Sequence, residues 1–276
     1  MEPFDINAYS PKEMAQRVES AGVSKANLDF WSMLILAMLA GAFIALGAMM
    51  YTLVTHNSGL SAGLTQLIGG LVFCLGLILV VIAGAELFTG NNLIVMARVD
   101  GKITTKQLLR NWIIVYLGNF AGALIIVGLV YFSGHWLLND VGARALLIAN
   151  NKVNLSFSEA LFRGILCNVL VCLAVWLCVA GRSVTDKILA ILFPITAFVA
   201  LGFEHSVANM YLIPAGLLLA DNAPIVSAAG HPDLTQLTMK GMWLNNLLPV
   251  TIGNLIGGGV LVGVVYWFLY LRNDKE

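Results

Sequence analysis

Six long apolar runs constrain the fold of this chain more than any other feature of its sequence. Each run is long enough to cross a bilayer as a helix, which takes about 20 residues. The runs lie near residues 31–54, 67–97, 108–132, 158–180, 187–219 and 244–271. Because only 11% of the residues are charged and the mean hydropathy is +0.87, we predict an all-α integral membrane protein with six transmembrane helices.

The second and fifth runs are longer than one span needs, and both carry polar residues in the middle. The interrupting stretches read GAELFTGNN at 84–92 and GFEHSVANM at 202–210. An overlong span with a polar interruption is typical of a transmembrane helix that is broken into two half-helices. We therefore predict that transmembrane helices 2 and 5 are broken.

The two halves of the chain repeat. Matching residues recur at shifts of 118 and 135 positions, as in Glu86 and Asn91 with Glu204 and Asn209, and Asn119 with Asn254. Three spans per half is an odd number, so the second half must be inverted relative to the first. We predict a single transmembrane channel domain, 1–276, with inverted three-helix repeats at 30–135 and 157–272 and a cytoplasmic amphipathic helix within 1–29.

A capping pattern marks that first short helix. Ser10 is a suitable N-cap, Pro11 suits the first helical position, Glu13 completes a capping box and Gly22 would end the helix. A short cytoplasmic or interfacial helix is the favoured interpretation, and a lid on a pore is the alternative.

The basic residues indicate the orientation. Eleven of the 15 Lys and Arg residues fall in the N-terminal segment, in the loops after the second and fourth runs and in the tail, which includes Lys275, whereas three fall on the opposite side. This bias predicts cytoplasmic N- and C-termini. The net charge is zero and no basic run is interleaved with aromatic residues, which argues against nucleic-acid binding.

Nothing in the sequence points to an enzyme. The four cysteines lie inside apolar runs without Cys-x-x-Cys spacing, and no metal-ligand or nucleophile motif occurs. We expect no metal, no cofactor and no catalytic residue.

The polar residues at the two interruptions divide into two kinds. Glu86, Asn91, Glu204 and Asn209 recur between the halves and are interpreted as braces for backbone groups that a broken helix leaves unpaired. His205 and Thr89 do not recur, because Leu87 and Val207 occupy the matching positions. A polar group in a membrane that the repeat does not require is a functional candidate.

The predicted half-helices also suggest the charge of a ligand. Halves that begin near Thr89 and Ser206 would point their free N–H groups and positive dipole ends toward the centre, which favours an anion. Phe73, Leu77 and Phe198 fall at helical spacing beside the interruptions, where core packing and a gate are both possible.

Four blocks resemble the formate/nitrite transporter family, most closely its formate channels, along essentially the whole chain. The blocks are GAELFTGNNLIV at 84–95, NWIIVYLGN at 111–119, GFEHSVANMYLIP at 202–214 and LLPVTIGNLIGGGVLVG at 247–263. The resemblance implies an aquaporin-like protomer with its own pore, a homopentamer in the lipid of the bacterial inner membrane, and formate or a similar small monovalent anion as the substrate.

The resemblance also assigns residues. It implies a substrate pathway at His205, Thr89, Asn254 and Lys152, although Lys152 could also be a solvated loop charge. It implies constrictions at Phe73, Leu77, Leu87, Phe88 and Phe198. Asn168 matches a further polar position, for which hydrogen bonding between helices is the favoured role.

The leading hypothesis is a passive, bidirectional channel, with proton exchange at His205 as an added possibility. A nitrite or hydrosulfide channel stays open because the GNN at 90–92 departs from the formate-channel pattern. A proton-coupled formate carrier and a neutral-solute channel are further alternatives, the latter disfavoured because Asn-Pro-Ala does not occur.

Overall fold

The computed structural model describes residues 8–138 and 140–272, which form helices and no strands. The first seven residues of the predicted N-terminal segment, and Lys275 of the tail, lie outside the described residues. The α-helices are α1 Pro11–Ala26, α2 Phe30–Thr55, α3 Ala62–Ile78, α4 Val95–Val99, α5 Thr105–Phe132, α6 Val141–Val153, α7 Phe157–Ala180, α8 Val184–Ala200, α9 Ser206–Leu219, α10 Ala223–Ala228, α11 Leu248–Asn254 and α12 Val265–Tyr270.

Shorter helical pieces of other types extend several of these helices. π-Helical segments cover Leu79–Gly84, Gly241–Leu247 and Leu255–Val264, and 3₁₀ segments cover Gly90–Ile94 and His135–Leu137. The last helical stretch therefore runs from Gly241 to Tyr270 without a gap.

Five stretches in the described part of the chain are long and apolar enough to cross a membrane. They are Phe30–Thr55, Ala62–Gly84, Thr105–Phe132, Phe157–Ala180 and Gly241–Tyr270, and α9 is a shorter apolar helix. Large apolar side chains are exposed both on these stretches and on α8, such as Phe132 on α5 and Phe193 on α8. Such a surface is stable in lipid and would aggregate in water.

α1 begins as the sequence predicts and ends later. Ser10 and Glu13 form both hydrogen bonds of a capping box, and Pro11 occupies the first turn. The predicted stop at Gly22 is wrong, because the helix continues to Ala26. Gly22 serves packing instead: a Cβ there would lie 3.4 Å from atoms of Ala97 and Ile94.

Helical structure is interrupted at both polar stretches. The first helical run ends at Gly84 and resumes at Gly90, and the second ends at Ala200 and resumes at Ser206. Gly84 has φ +83° and Gly202 has φ +69°, a left-handed conformation that glycine adopts without steric cost. A glycine at each interruption lets the backbone turn out of the helix.

Close helix contacts frame the interruptions. A Cβ at Gly122 of α5 would lie 1.9 Å from the Met38 carbonyl oxygen on α2. In the second half, a Cβ at Gly253 would lie 2.2 Å from the Leu161 carbonyl oxygen on α7. Only glycine permits backbones to approach this closely, so these two helix pairs, one in each half, pack tightly.

Candidate functional site

Two cavities approach the interruptions from different sides. The α6-side cavity, with a volume of about 70 Å³, is lined by residues that include Phe73, Lys152, Phe198, Glu204 and His205. The α1-side cavity, with a volume of about 420 Å³, is lined by residues that include Lys25, Leu77, Glu86, Leu87, Gly90 and Asn91. Four of the five predicted constriction residues therefore lie on a cavity wall.

His205 and Thr89 form a buried pair. His205 lines the α6-side cavity, and Leu87 and Gly90, which lie within two residues of Thr89 in the chain, line the α1-side cavity. The Thr89 Oγ1 atom lies 2.9 Å from the His205 Nε2 atom. The structure thus joins two predicted pathway residues that are 116 positions apart.

Hydrogen bonding indicates the tautomer of His205. The ring is the N-cap of α9, where the Ala208 N–H donates to Nδ1 at 3.1 Å. An imidazole nitrogen that accepts a hydrogen bond carries no proton, so the proton of the neutral ring is on Nε2. Nε2 then donates to Thr89 Oγ1, and the hydroxyl proton of Thr89 stays available for another acceptor.

Aromatic contacts pack around the His205 ring. Phe73 and Phe198 meet edge to face with ring centroids 5.6 Å apart, and Phe198 stacks on His205 at 5.9 Å. Phe88 was also predicted as a constriction residue. It lines neither cavity, and its ring lies against Tyr116 with centroids 5.0 Å apart.

Two asparagines hold the backbone at the interruptions. Asn119 donates to the carbonyl oxygens of Ala37 and Glu86 at 2.7 and 2.9 Å and accepts from the Phe88 N–H at 2.9 Å. Asn254 repeats this pattern: it donates to the carbonyl oxygens of Gly164 and Glu204 at 2.8 and 3.0 Å and accepts from the Ser206 N–H at 3.0 Å. Both side chains are fully buried.

These bonds change the role of one predicted pathway residue. The Asn254 amide is occupied by backbone groups of Gly164, Glu204 and Ser206, which is the bonding of a brace. Like Thr89, Asn254 is not among the residues that line the two cavities. Asn119 was missed as a site residue, although its recurrence at the shift of 135 positions was a usable signal. Two of the N–H groups expected to be free at the start of α9 are also taken, by Asn254 and by His205.

Each cavity is lined by one lysine, one glutamate and one asparagine, and a second asparagine outside the lining bonds to the first and completes a four-residue cluster. Both glutamates are buried. In the α1-side cluster, Lys25 Nζ lies 2.5 Å from Glu86 Oε1. Asn91 donates to Glu86 at 2.7 Å and to Asn111 at 3.0 Å, and Asn111 donates to the Lys25 carbonyl at 3.2 Å.

In the α6-side cluster, Lys152 Nζ lies 2.8 Å from Glu204 Oε1. Asn209 donates to Glu204 and to Asn246 at 2.7 Å, and Asn246 donates to the Lys152 carbonyl at 2.9 Å.

The two clusters match residue for residue. Lys152 is therefore not a solvated loop charge: it lies on α6 with its side chain 15% exposed. Lys25 was missed, because a lysine on a short polar helix has no distinctive sequence signal. Lys25 lies 127 residues before Lys152, so α1 in the first half is the counterpart of α6 in the second. The predicted brace residues Glu86, Asn91, Glu204 and Asn209 all lie in these clusters.

Asn168 lies beside the first interruption. Its Nδ2 atom lies 3.2 Å from the Thr89 carbonyl, 2.8 Å from Asn92 Oδ1 and 2.7 Å from the Asn254 carbonyl. These bonds join α7 to the first interruption and to α11, which is the kind of contact between helices that the sequence favoured.

Comparison with known proteins gives consistent matches along the chain. A family described as "Formate/nitrite transporter" matches residues 12–268. The chain is 44% identical to the formate channel FocA of Escherichia coli K12, over 99% of this chain and 98% of that protein. It is 42% identical to the formate channel FocA of Haemophilus influenzae, over 95% of each.

Two solved structures share the fold. One, described as a pentameric formate channel with formate bound, has a TM-score of 0.82 at 40% identity and covers 88% of this chain and 98% of that one. The other, described as an FNT family ion channel, has a TM-score of 0.81 at 30% identity and covers 93% of this chain and 98% of that one.

Proposed function

Because this chain belongs to the formate/nitrite transporter family, we propose that it is a passive channel that conducts formate and similar small monovalent anions in both directions. The observation that carries the proposal is the 44% identity to a named formate channel over 99% of the chain. The buried contact between Thr89 and His205 supports it, since it provides polar groups beside the aromatic rings of Phe73 and Phe198.

The proposed assembly is a homopentamer in the bacterial inner membrane, surrounded by lipid. A pentameric relative with a TM-score of 0.82 supports the assembly. Each protomer would form one domain over 1–276, with six spans in two inverted repeats and with spans 2 and 5 broken. Support comes from the interruptions at 85–89 and 201–205 and from the two matching clusters.

The basic residues favour cytoplasmic N- and C-termini. In that orientation the α1-side cavity opens to the cytoplasm and the α6-side cavity opens to the periplasm. Lys25 and Lys152 would then offer one cation to an anion entering from either side. Each lysine is paired with a glutamate, so its attraction for an anion is moderate and the ion can leave again.

In the central step, protein groups replace part of the water that hydrates the anion. Phe73, Phe198 and Leu87 remove most of its water, and the Thr89 hydroxyl replaces part of that hydration by donating its proton. His205 acts behind Thr89: its Nε2–H occupies Oγ1 and so leaves the hydroxyl proton directed elsewhere. Neutral His205 is sufficient for this role.

Proton exchange with the anion is the competing mechanism, and it requires a second proton on the ring. That proton would have to sit on Nδ1, which now accepts the Ala208 N–H. A doubly protonated ring would therefore uncap α9, at a cost of about 1 kcal/mol. This cost favours conduction of the anion itself over a proton-coupled carrier.

The test is formate current and flux in proteoliposomes with the purified protein. We expect formate to carry current in both directions, and Thr89→Val to lower its flux by about tenfold, the equivalent of one hydrogen bond to a charged group. Thr52→Val is the matched control, because Thr52 is buried and its hydroxyl bonds only within α2.

Other outcomes identify the alternatives. Flux without current would indicate a neutral-solute channel, and saturable counterflow would indicate a proton-coupled carrier. Nitrite and hydrosulfide measured beside formate establish which anion is preferred. Equal flux in Thr89→Val and Thr52→Val would contradict the role given to Thr89.

A further inference from the structure

Two buried amides at the first interruption have no counterpart at the second. Asn92 corresponds to Met210 at the shift of 118 positions, and Asn168 corresponds to Gly41 at the shift of 127 that relates Lys25 to Lys152. The brace amides all recur, so a brace for a broken helix does not require Asn92 or Asn168. Their presence therefore points to a feature that exists only at the first interruption.

Thr89 is such a feature, since Val207 occupies the matching position. Asn92 donates to the Phe88 carbonyl at 3.0 Å, and its Oδ1 accepts from Asn168 Nδ2 at 2.8 Å. Asn168 also lies 3.2 Å from the Thr89 carbonyl. Both side chains are fully buried, so water does not compete for their hydrogen bonds. The pair therefore holds two consecutive carbonyls of the interruption.

A glycine provides the space for this pair. A Cβ at Gly258 would lie 2.3 Å from Asn168 Nδ2 and 2.6 Å from Cys172 Sγ. The position that matches Gly258 at the shift of 135 is Ala123. The glycine, like the two asparagines, therefore has no counterpart in the other half. Cys172 adds a contact, with its Sγ 3.3 Å from the Thr89 carbonyl.

We infer that Asn92 and Asn168 are positioning residues that, with the space left by Gly258, fix the Phe88 and Thr89 backbone so that the Thr89 hydroxyl stays opposite His205. This inference rests on the proposed function. Fixing the Phe88 and Thr89 carbonyls restricts where the Thr89 Oγ1 atom can lie. A displacement of that atom by about 1 Å is enough to lose a hydrogen bond. The pair would therefore determine how well the pore distinguishes formate from larger carboxylates.

The experiment compares formate and acetate flux in proteoliposomes that contain equal amounts of assembled protein. The variants are Asn92→Leu and Asn168→Leu, which keep the volume and remove the amide, and Gly258→Ala, which fills the space of Asn168. Gly259→Ala is the matched control, because a Cβ there meets its nearest atom at 4.0 Å. Asn92→Ala replaces Asn92→Leu if the latter does not assemble.

We expect each test variant to lower the ratio of formate to acetate flux by about threefold to tenfold, the range of one net hydrogen bond, and the control to leave the ratio unchanged. A merely unstable channel reduces both fluxes together and keeps their ratio. Adding Thr89→Val to Asn92→Leu should change the ratio no further than Thr89→Val alone.

The inference is overturned if assembled variants keep the parental ratio, or if Asn92→Leu and Thr89→Val act additively. The proposed function fails differently: in that case the parent protein itself carries no formate. The two failures are therefore distinguished by the parent measured in the same experiment.

Discussion

Replacing Lys152 by methionine should destabilise the protein more than the matching replacement of Lys25. Both lysines pair with a buried glutamate, but the Lys152 side chain is 15% exposed and the Lys25 side chain is 34% exposed. Methionine keeps most of the apolar stem and removes the charge. The difference between the two variants therefore reports how far water can replace the lost cation.

The magnitude follows from burial. Removing one partner of a buried ion pair costs about 3–5 kcal/mol, because the remaining charge has no compensation. We expect the lower end of that range for Lys152→Met, since Asn209 and Asn246 still donate to Glu204. For Lys25→Met, where a third of the lysine already faces solvent, we expect about 1 kcal/mol.

The assay is thermal unfolding of the purified protein in one detergent. At roughly 2–4 °C per kcal/mol, Lys152→Met should lower the apparent midpoint by about 10 °C and Lys25→Met by about 3 °C. Adding Glu204→Gln to Lys152→Met should restore most of the loss, because the neutral amide no longer needs a cation. An equal loss for both lysines, or no recovery in the double variant, would refute the reasoning from burial.

Three further predictions follow from local contacts. His205→Asn should lower thermal stability less than His205→Leu, by about 1 kcal/mol, because the asparagine oxygen can still cap the Ala208 N–H; equal midpoints would contradict the cap. Gly122→Ala should prevent assembly, measured by size-exclusion chromatography, since its Cβ would lie 1.9 Å from a carbonyl oxygen of α2, whereas Gly128→Ala, with nothing within 4 Å, should assemble normally. The hydrogen bonds of the capping box hold the pKa of Glu13 below its usual value of 4.5, so the stability that this carboxylate gives to α1 is present above pH 4.5 and is lost as the pH falls through the lowered pKa. Amide exchange in the first turn of α1 should then accelerate on acidification, and Glu13→Gln should flatten that dependence.

Much of this protein follows from the sequence alone. Length and hydropathy of the apolar runs determine that the chain forms long apolar helices, because hydrocarbon leaves the backbone no other partner. The four sequence blocks were sufficient for the family, and the family match confirms that resemblance. The glutamates and asparagines at the interruptions were recognised because they recur in both halves.

Which residues each buried polar side chain bonds to was decided only by the tertiary structure. Sequence reasoning placed Asn254 in the pathway and omitted Lys25, and the structure gives the first to a brace and pairs the second with Glu86. It also shows that Nδ1 of His205 caps α9, which determines the side of the ring that can reach Thr89. Hydropathy is a property of neighbours along the chain, so a sequence can report it directly. The hydrogen bonds of a buried polar group join residues as far apart as 116 positions, and their geometry exists only after the helices have packed.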